Sequence, residues 1–61
     1  MTMTKARSIA RNLGLTIKKT DWDDFRVNYR GGVEDTAYYT DDLEDATDTM
    51  VAMALSNRSN S

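Results

Sequence analysis

Residues 25–32, Phe-Arg-Val-Asn-Tyr-Arg-Gly-Gly, contain the strongest strand and turn signals of this sequence. Apolar and polar side chains alternate strictly over the first six of them, which is the pattern of a β-strand with one buried and one open face. The pair Gly31-Gly32 follows directly, and a tight hairpin turn favours glycine because its central positions need positive φ. We therefore predict a strand over residues 25–30, a hairpin at the glycines and a return strand over residues 33–39.

The length of the turn sets the register of this hairpin, and the sequence allows two registers. A two-residue turn places Phe25 opposite Tyr38, whereas a three-residue turn with a bulge places it opposite Ala37 and brings Tyr39 to the same face. We favour the three-residue turn, because it puts more apolar groups on the face that carries Phe25. The open face of the sheet then carries Arg26, Asn28, Arg30, Glu34, Thr36 and Tyr38.

A helix and a short strand precede the central strand. Apolar residues recur at spacings of three and four, the stripe of an amphipathic helix, at Ala6, Ile9, Ala10 and Leu13. Thr2 or Thr4 can cap the start of this helix, and Gly14 suits the left-handed position after its end. We therefore predict a first helix over residues 4–13. Residues 15–18 alternate again and predict a strand.

A second helix follows the return strand. Thr40 or Asp41 can cap its start, and acidic residues in its first turn interact favourably with the helix dipole. Its inward stripe consists of Leu43, Ala46, Thr47, Met50, Met53 and Ala54. We predict a helix over residues 41–56 and a flexible polar tail over residues 57–61. The element order indicates one α+β domain of residues 1–56, an α-β-β-β-α arrangement in which both helices pack on one face of an antiparallel sheet.

The composition excludes several classes of protein. A length of 61 residues allows one small domain. The absence of Cys and His removes disulfides, thiolate zinc sites and the usual general base, so we expect no cofactor, no metal and no enzymatic activity. The longest apolar run is six residues, Met50 to Leu55, which is too short to span a membrane. We expect a cytoplasmic protein.

Charge is divided unevenly along the chain. Residues 1–31 carry a net charge of +4 and residues 32–61 a net charge of −6, which gives −2 overall. This asymmetry predicts either a basic and an acidic side of the domain or pairing between the two halves. A general nucleic-acid binder is expected to be positively charged, so nucleic acid is not the partner we expect.

Two acidic clusters resemble parts of metal sites. One face of the predicted second helix carries Asp41, Glu44, Asp45 and Asp48, but this segment lacks the glycine of a calcium loop. The start of a calcium loop is matched by Asp21, Asp23 and Asp24, yet Phe25 occupies the next ligand position. We interpret these clusters as a solvated helix face and a turn. Trp22 lies in that turn, where its ring either covers the edge of the core, which we favour, or stands exposed as an anchor for a partner.

The open face of the sheet is the predicted binding surface. Arginine and tyrosine are enriched at the hot spots of interfaces, so the expected partner contacts are Arg26, Asn28, Arg30, Thr36 and Tyr38. Three acidic residues at the start of the second helix would steer a basic partner toward this face: Asp41, Asp42 and Asp45. Val51 and Leu55 fall off the inward stripe, so they either contact the first helix or form a homodimer seam.

Two resemblances bear on function. The element order resembles the double-stranded-RNA-binding domain, but that family has a Lys-rich start to its last helix, where this chain has Thr40-Asp41-Asp42-Leu43-Glu44-Asp45. The charge at that position has the wrong sign for RNA binding. Residues 25–54 resemble small uncharacterised proteins of bacteriophages and prophages, and residues 36–46 carry most of this likeness. This resemblance implies a phage origin, and small acidic phage proteins often bind and disable host machinery.

Three hypotheses for the function follow. The first is a non-enzymatic protein-interaction module, a phage accessory protein in the cytoplasm of an infected or lysogenic bacterium. It would bind and modulate a host protein such as a defence complex, a restriction enzyme or RNA polymerase. The second is a small nucleic-acid-binding protein that uses the first helix and Lys18-Lys19. The third is a self-assembling structural component of a phage.

Overall fold

The computed structural model describes residues 1–59 and the side chains of residues 1–56. Its elements are α1 (Met3–Leu13), β1 (Leu15–Lys19), β2 (Phe25–Tyr29), a 3-10 turn (Glu34–Thr36), β3 (Tyr38–Thr40) and α2 (Leu43–Ser59). The strands form one antiparallel sheet in the order β1-β2-β3, and both helices pack on the same face of it. The predicted α+β class and the α-β-β-β-α order are confirmed.

Helix α1 begins and ends at capping residues that its sequence predicts. Thr2 has an extended backbone, and its Oγ1 accepts a hydrogen bond from the backbone N–H of Lys5 at 3.2 Å. At the other end Gly14 has a φ of 76°, a left-handed conformation that glycine adopts without a steric penalty. These two caps place α1 within one residue of its predicted limits.

Helix α2 differs from the prediction at both ends. Its capping side chain belongs to Asp42, whose Oδ1 accepts a hydrogen bond from the Glu44 N–H at 2.9 Å, and not to Thr40 or Asp41. Thr40 instead accepts a hydrogen bond from the Asp42 N–H at 3.2 Å, one step before the helix begins. The helix continues to Ser59, beyond its predicted end at residue 56. The last two residues of the predicted tail, 60 and 61, lie outside the described residues.

The core lies between the sheet and the two helices, and it is small. Its fully buried members include Val27 of β2 and Met50 of α2, both 0% exposed. Three of its seven members are alanines, so each larger apolar side chain carries a large share of the buried area. Within the described part of the chain, neither helix is long and apolar enough to cross a membrane.

Strand β3 pairs with β2 in a register that neither predicted turn gives. Phe25 lies opposite Thr40, whereas the favoured turn places it opposite Ala37, a shift of three residues. Because successive side chains of a strand point to opposite faces, an odd shift exchanges the faces of the two tyrosines. Tyr38 lies opposite the buried Val27, on the face that the helices cover, and Tyr39 lies on the open face. The faces of both tyrosines that the favoured turn predicts are therefore wrong, and the two-residue turn gives the observed faces although not the observed register.

The cause of the shift is the segment between β2 and β3, which is organised by the buried side chain of Asn28. Its Nδ2 donates to the Val33 carbonyl oxygen at 2.9 Å, and its Oδ1 accepts a hydrogen bond from the Tyr29 N–H at 2.8 Å. The Thr36 hydroxyl donates to the same Oδ1 at 2.6 Å. These bonds hold the first part of the predicted return strand in a 3-10 turn.

The glycine pair forms a turn, but only one of the two glycines has positive φ. The Gly32 N–H donates to the Tyr29 carbonyl oxygen at 2.8 Å, and Gly31 has a φ of 71°. Gly32 has a different role, since a Cβ at this position would lie 2.6 Å from Oδ1 of Asn28. The second glycine therefore lets the chain pass close to the Asn28 amide.

Candidate binding surface

The open face of the sheet presents a row of three side chains, one from each strand. Lys18 of β1 lies opposite Arg26 of β2, and Arg26 lies opposite Tyr39 of β3. Residues directly opposite each other in antiparallel strands project to the same face, and the helices cover the other face. The row therefore holds two cations and an aromatic ring on a rigid support.

Glu34 holds Arg26 and Tyr39 in a fixed relation to each other. Its Oε1 accepts hydrogen bonds from Nε and Nη2 of Arg26 at 3.3 and 3.2 Å, and its Oε2 accepts one from the Tyr39 hydroxyl at 2.5 Å. The bond from Tyr39 and then that from Arg26 lower the pKa of Glu34, and the bond to Glu34 raises the pKa of Tyr39. Each group therefore keeps its ordinary charge at neutral pH.

A groove beside this row ends at Trp22. This sheet-face groove has a volume of about 570 Å³ and is lined by Lys18, Lys19, Thr20, Asp21, Trp22, Arg26 and Tyr39. Trp22 is 87% exposed, so the favoured interpretation, in which its ring covers the edge of the core, is wrong. Its loop is closed by a hydrogen bond from the Thr20 N–H to the Asp24 carbonyl oxygen at 2.8 Å, and the Trp22 N–H donates to Oγ1 of Thr20 at 3.1 Å.

A second groove lies between α1 and the outer edge of β1. This edge groove has a volume of about 290 Å³ and is lined by Ala10, by residues 15–18 and by the cations Arg7, Arg11, Lys18 and Arg30. All of its charged lining residues are cations. The Arg30 backbone is held at this end of the sheet by a hydrogen bond from its N–H to the Gly14 carbonyl oxygen at 3.2 Å. Lys18 lines both grooves, so the two grooves are neighbours on the surface.

The basic and acidic halves of the chain do not neutralise each other by widespread ion pairing. Among residues 1–56 the ion pairs are Arg26 with Glu34 at 3.2 Å and Lys19 with Asp23 at 4.0 Å. The four cations of the edge groove are in neither pair. The first turn of α2 carries Glu44 and Asp45, and α2 packs on the opposite face from the row. The fold thus separates a basic surface from an acidic helix start.

The predicted partner contacts do not share one surface. Arg26 lies on the open face as predicted, and Arg30 lines the edge groove. Asn28 is only 1% exposed and acts within the β2–β3 segment, where Thr36 bonds to it. Tyr38 faces the helices, and its hydroxyl donates to Asp45 of α2 at 2.7 Å. Asn28, Thr36 and Tyr38 therefore stabilise the fold.

The acidic residues that we expected to steer a partner lie at the start of α2, away from the row on the open face. Asp42 caps the helix and Asp41 precedes it. The hydrogen bond from Tyr38 lowers the pKa of Asp45. Val51 and Leu55 are 44% and 56% exposed on α2, and a homodimer through them stays a prediction.

Three residues of the observed surface were missing from the predicted partner contacts: Lys18, which we had assigned only to the nucleic-acid hypothesis, Trp22 and Tyr39. A sequence signal existed for Trp22, because an indole between Asp21 and Asp23 has no apolar neighbour in its turn with which to pack. The face of Tyr39 depends on the register of β3, which the sequence does not reveal.

The described side chains include no group of three or more His, Cys, Asp or Glu residues that could hold a metal ion. Comparison of the chain with protein-family models, with curated proteins and with solved structures found no match. The surface offers cations and exposed aromatic rings, which are groups suited to binding.

Proposed function

We propose that this protein is a protein-interaction module that binds another protein through the sheet-face groove. The observation that carries this proposal is an exposed tryptophan beside an arginine and a tyrosine that Glu34 holds in place. Tryptophan, tyrosine and arginine are the residues most enriched at interface hot spots. Covering the Trp22 indole would bury a large apolar area at one point, as such anchors do.

Pre-organisation of the surface supports this function. Ordering a flexible side chain at an interface costs about 0.5–1.5 kcal/mol. Arg26 and Tyr39 are already restrained by their bonds to Glu34, so less of this cost falls on the binding step. The Trp22 ring has few rotatable bonds, and its loop is closed by backbone hydrogen bonding.

The protonation states support binding and not acid–base catalysis. A general acid or base works best when its pKa is close to the ambient pH. Hydrogen bonds from Tyr39 and Tyr38 lower the pKa values of Glu34 and Asp45, and the same bonds raise the pKa values of the two tyrosines. All four shifts lead away from neutrality, so these groups are poorly suited to proton transfer at neutral pH.

The charge of the surface favours a partner with an acidic patch. Lys18 lies on the open face and is in neither of the ion pairs found among residues 1–56, and the edge groove next to it adds three arginines. A basic partner, which the acidic α2 start suggested, would meet like charge on this side. The resemblance of residues 25–54 to small phage proteins supports a bacterial host protein as this partner.

Single-stranded nucleic acid is the second candidate ligand, and one observation favours it. Lys18 lines both grooves, and together the grooves combine cations with two exposed aromatic rings, on which bases can stack while phosphates contact the cations. The net charge of −2 opposes this reading, because a general nucleic-acid binder is expected to carry a net positive charge. A labelled single-stranded oligonucleotide should show no binding at low salt if the protein proposal is correct.

Affinity capture from a bacterial lysate with three baits tests the proposed function. Trp22→Ala removes the exposed indole without touching the core, and Val51→Ala removes an exposed apolar side chain of α2 as the matched control. We expect the wild-type and Val51→Ala baits to retain one stoichiometric protein that the Trp22→Ala bait loses. Equal recovery by all three baits would contradict the proposal.

The fluorescence of Trp22 gives an independent measurement, because it is the only tryptophan. In the free protein the exposed indole should emit at long wavelength and be quenched by iodide. The purified partner should shift the emission to shorter wavelength and protect the ring from iodide. A complex in which neither quantity changes would place the interface elsewhere.

A further inference from the structure

Strand β1 is at one edge of the sheet, and its outer side has no partner strand within residues 1–59. In an antiparallel pair, the backbone groups of successive residues point alternately toward the partner strand and away from it. The β1–β2 ladder is flanked by hydrogen bonds from the Arg30 N–H to the Gly14 carbonyl and from the Thr20 N–H to the Asp24 carbonyl, at 3.2 and 2.8 Å. The even-numbered residues of β1 therefore bond to β2.

The odd-numbered residues of β1 direct their N–H and C=O groups outward, and two of them line the edge groove. Leu15 and Ile17 bury their side chains in the core and retain 3% and 5% exposure. Thr16 and Lys18 line the same groove, which therefore follows the edge of the strand over four successive residues. Unpaired backbone groups on such an edge can bond to an added strand.

The charges beside this edge define the chemistry of the ligand. Arg7 and Arg11 of α1 line the groove from the helix side. Lys18 and Arg30 line it from the open face. Lys18 pairs with Arg26 on that face, and Arg30 lies four residues after Arg26, where it continues the β1–β2 pairing by bonding to Gly14. Adjacent residues of an added strand point to opposite faces, so successive acidic residues would meet cations on both sides.

We propose that the outer edge of β1 binds an extended acidic segment of the partner protein, which adds to the sheet as a fourth strand. This inference rests on the proposed function and names the element of the partner that the protein recognises. The segment's backbone bonds to the outward groups of Leu15, Ile17 and Lys19, and its carboxylates pair with the cations of the edge groove. The sheet order becomes segment-β1-β2-β3.

Two other occupants fit this edge less well. A second copy paired through its own β1 would bring the four groove cations against the same four cations, and directly opposed like charges destabilise strand pairing. A phosphodiester backbone supplies acceptors for the outward N–H groups but no donors for the outward carbonyls. An acidic polypeptide matches the donors, the acceptors and the charges together.

Amide hydrogen exchange of the isotope-labelled full chain tests this inference. The probe is an octaglutamate peptide with blocked ends, added at low salt. We expect exchange of the Ile17 N–H to slow by about tenfold or more, because it gains a hydrogen bond. Exchange at Thr16 and Lys18 should stay unchanged, because those N–H groups already bond to β2.

A matched pair of variants and two control ligands separate this site from general charge attraction. Arg11→Gln and Lys5→Gln each remove one charge from α1, but only Arg11 lines the edge groove. Arg11→Gln should weaken octaglutamate binding about two- to fivefold, the range of one exposed ion pair, and Lys5→Gln should leave it unchanged. Octaglutamine and an octathymidine oligonucleotide should not slow exchange at Ile17.

Three outcomes would overturn the inference: unchanged exchange at Ile17 with octaglutamate, equal protection by a control ligand, or protection that rises with protein concentration alone. The last of these outcomes would show that a second copy of the chain, and not an acidic segment, pairs with the outer edge of β1. None of these results would change the outcome of the capture experiment with Trp22→Ala. Failure of the β1-edge inference is therefore distinguishable from failure of the proposed function.

Discussion

Replacing Asn28 with alanine tests whether one buried amide determines the path between β2 and β3. The side chain is 1% exposed, and it donates to the Val33 carbonyl while it accepts hydrogen bonds from the Tyr29 N–H and the Thr36 hydroxyl. Alanine removes all three bonds at once. The Thr36 hydroxyl also lies 2.8 Å from the Val33 carbonyl oxygen, so it keeps a partner in the variant.

The expected magnitude follows from the three bonds. Each contributes about 1 kcal/mol net, so Asn28→Ala should lower the free energy of unfolding by about 3 kcal/mol. A domain of this length has a total stability of roughly 3–9 kcal/mol, so the loss is a third of it or more. Thr36→Ala removes one of the same bonds and should lower the free energy of unfolding by about 1 kcal/mol.

Urea denaturation followed by far-ultraviolet circular dichroism measures both losses. Because the two residues share a bond, the double variant should lose less than the sum of the single losses. A loss below about 1 kcal/mol for Asn28→Ala would refute this reasoning if nuclear magnetic resonance shows Val27 still opposite Tyr38. The register would then be set by something other than the Asn28 amide.

Gly32→Ala should destabilise the fold more than Gly31→Ala. A Cβ at Gly32 would lie 2.6 Å from Oδ1 of Asn28 and force the two groups apart. A Cβ at Gly31 would meet nothing within 4 Å, so that variant suffers only from the left-handed φ of this position. Urea midpoints measure the order, and the reverse order would contradict the packing described for the turn. Glu34 should make the protein sensitive to acid: its pKa is lowered in the folded state, so its contribution to stability is present at neutral pH and is lost as the pH falls through that lowered pKa. The Glu34→Gln variant should therefore lose less stability than the wild type between neutral pH and pH ~3. Thermal melting temperatures that fall equally in the two proteins over this range would disprove the role of Glu34.

The helices could be predicted because their signals are local in sequence. The caps of α1, Thr2 and Gly14, act on residues within one turn of them. The start of α2 was misplaced by one or two residues because residues 40–42 are Thr-Asp-Asp, and each of these residue types caps helices well. Which of the three caps the helix depends on how β3 enters it.

The register of β3 could not be predicted because a side chain determines it. The alternation of residues 25–30 places Arg26 on the open face in any register, and the structure shows it there. The faces of Tyr38 and Tyr39 depend on bonds that Asn28 makes to residues five and eight positions later in the chain. An asparagine in an alternating pattern looks like an ordinary residue of the open face, so its turn-forming role leaves no signal in the pattern.

The separation of the basic grooves from the acidic start of α2 gives the molecule an electric dipole, although its net charge is only −2. The field of such a dipole would turn the proposed acidic partner toward the basic side before any atoms touch. Added salt would therefore slow the association of the proposed complex much more than it would hasten its dissociation. The distribution of charge over the fold therefore sets the orientation in which a partner approaches. A protein of the same composition with its positive and negative charges interspersed would have no such preferred orientation.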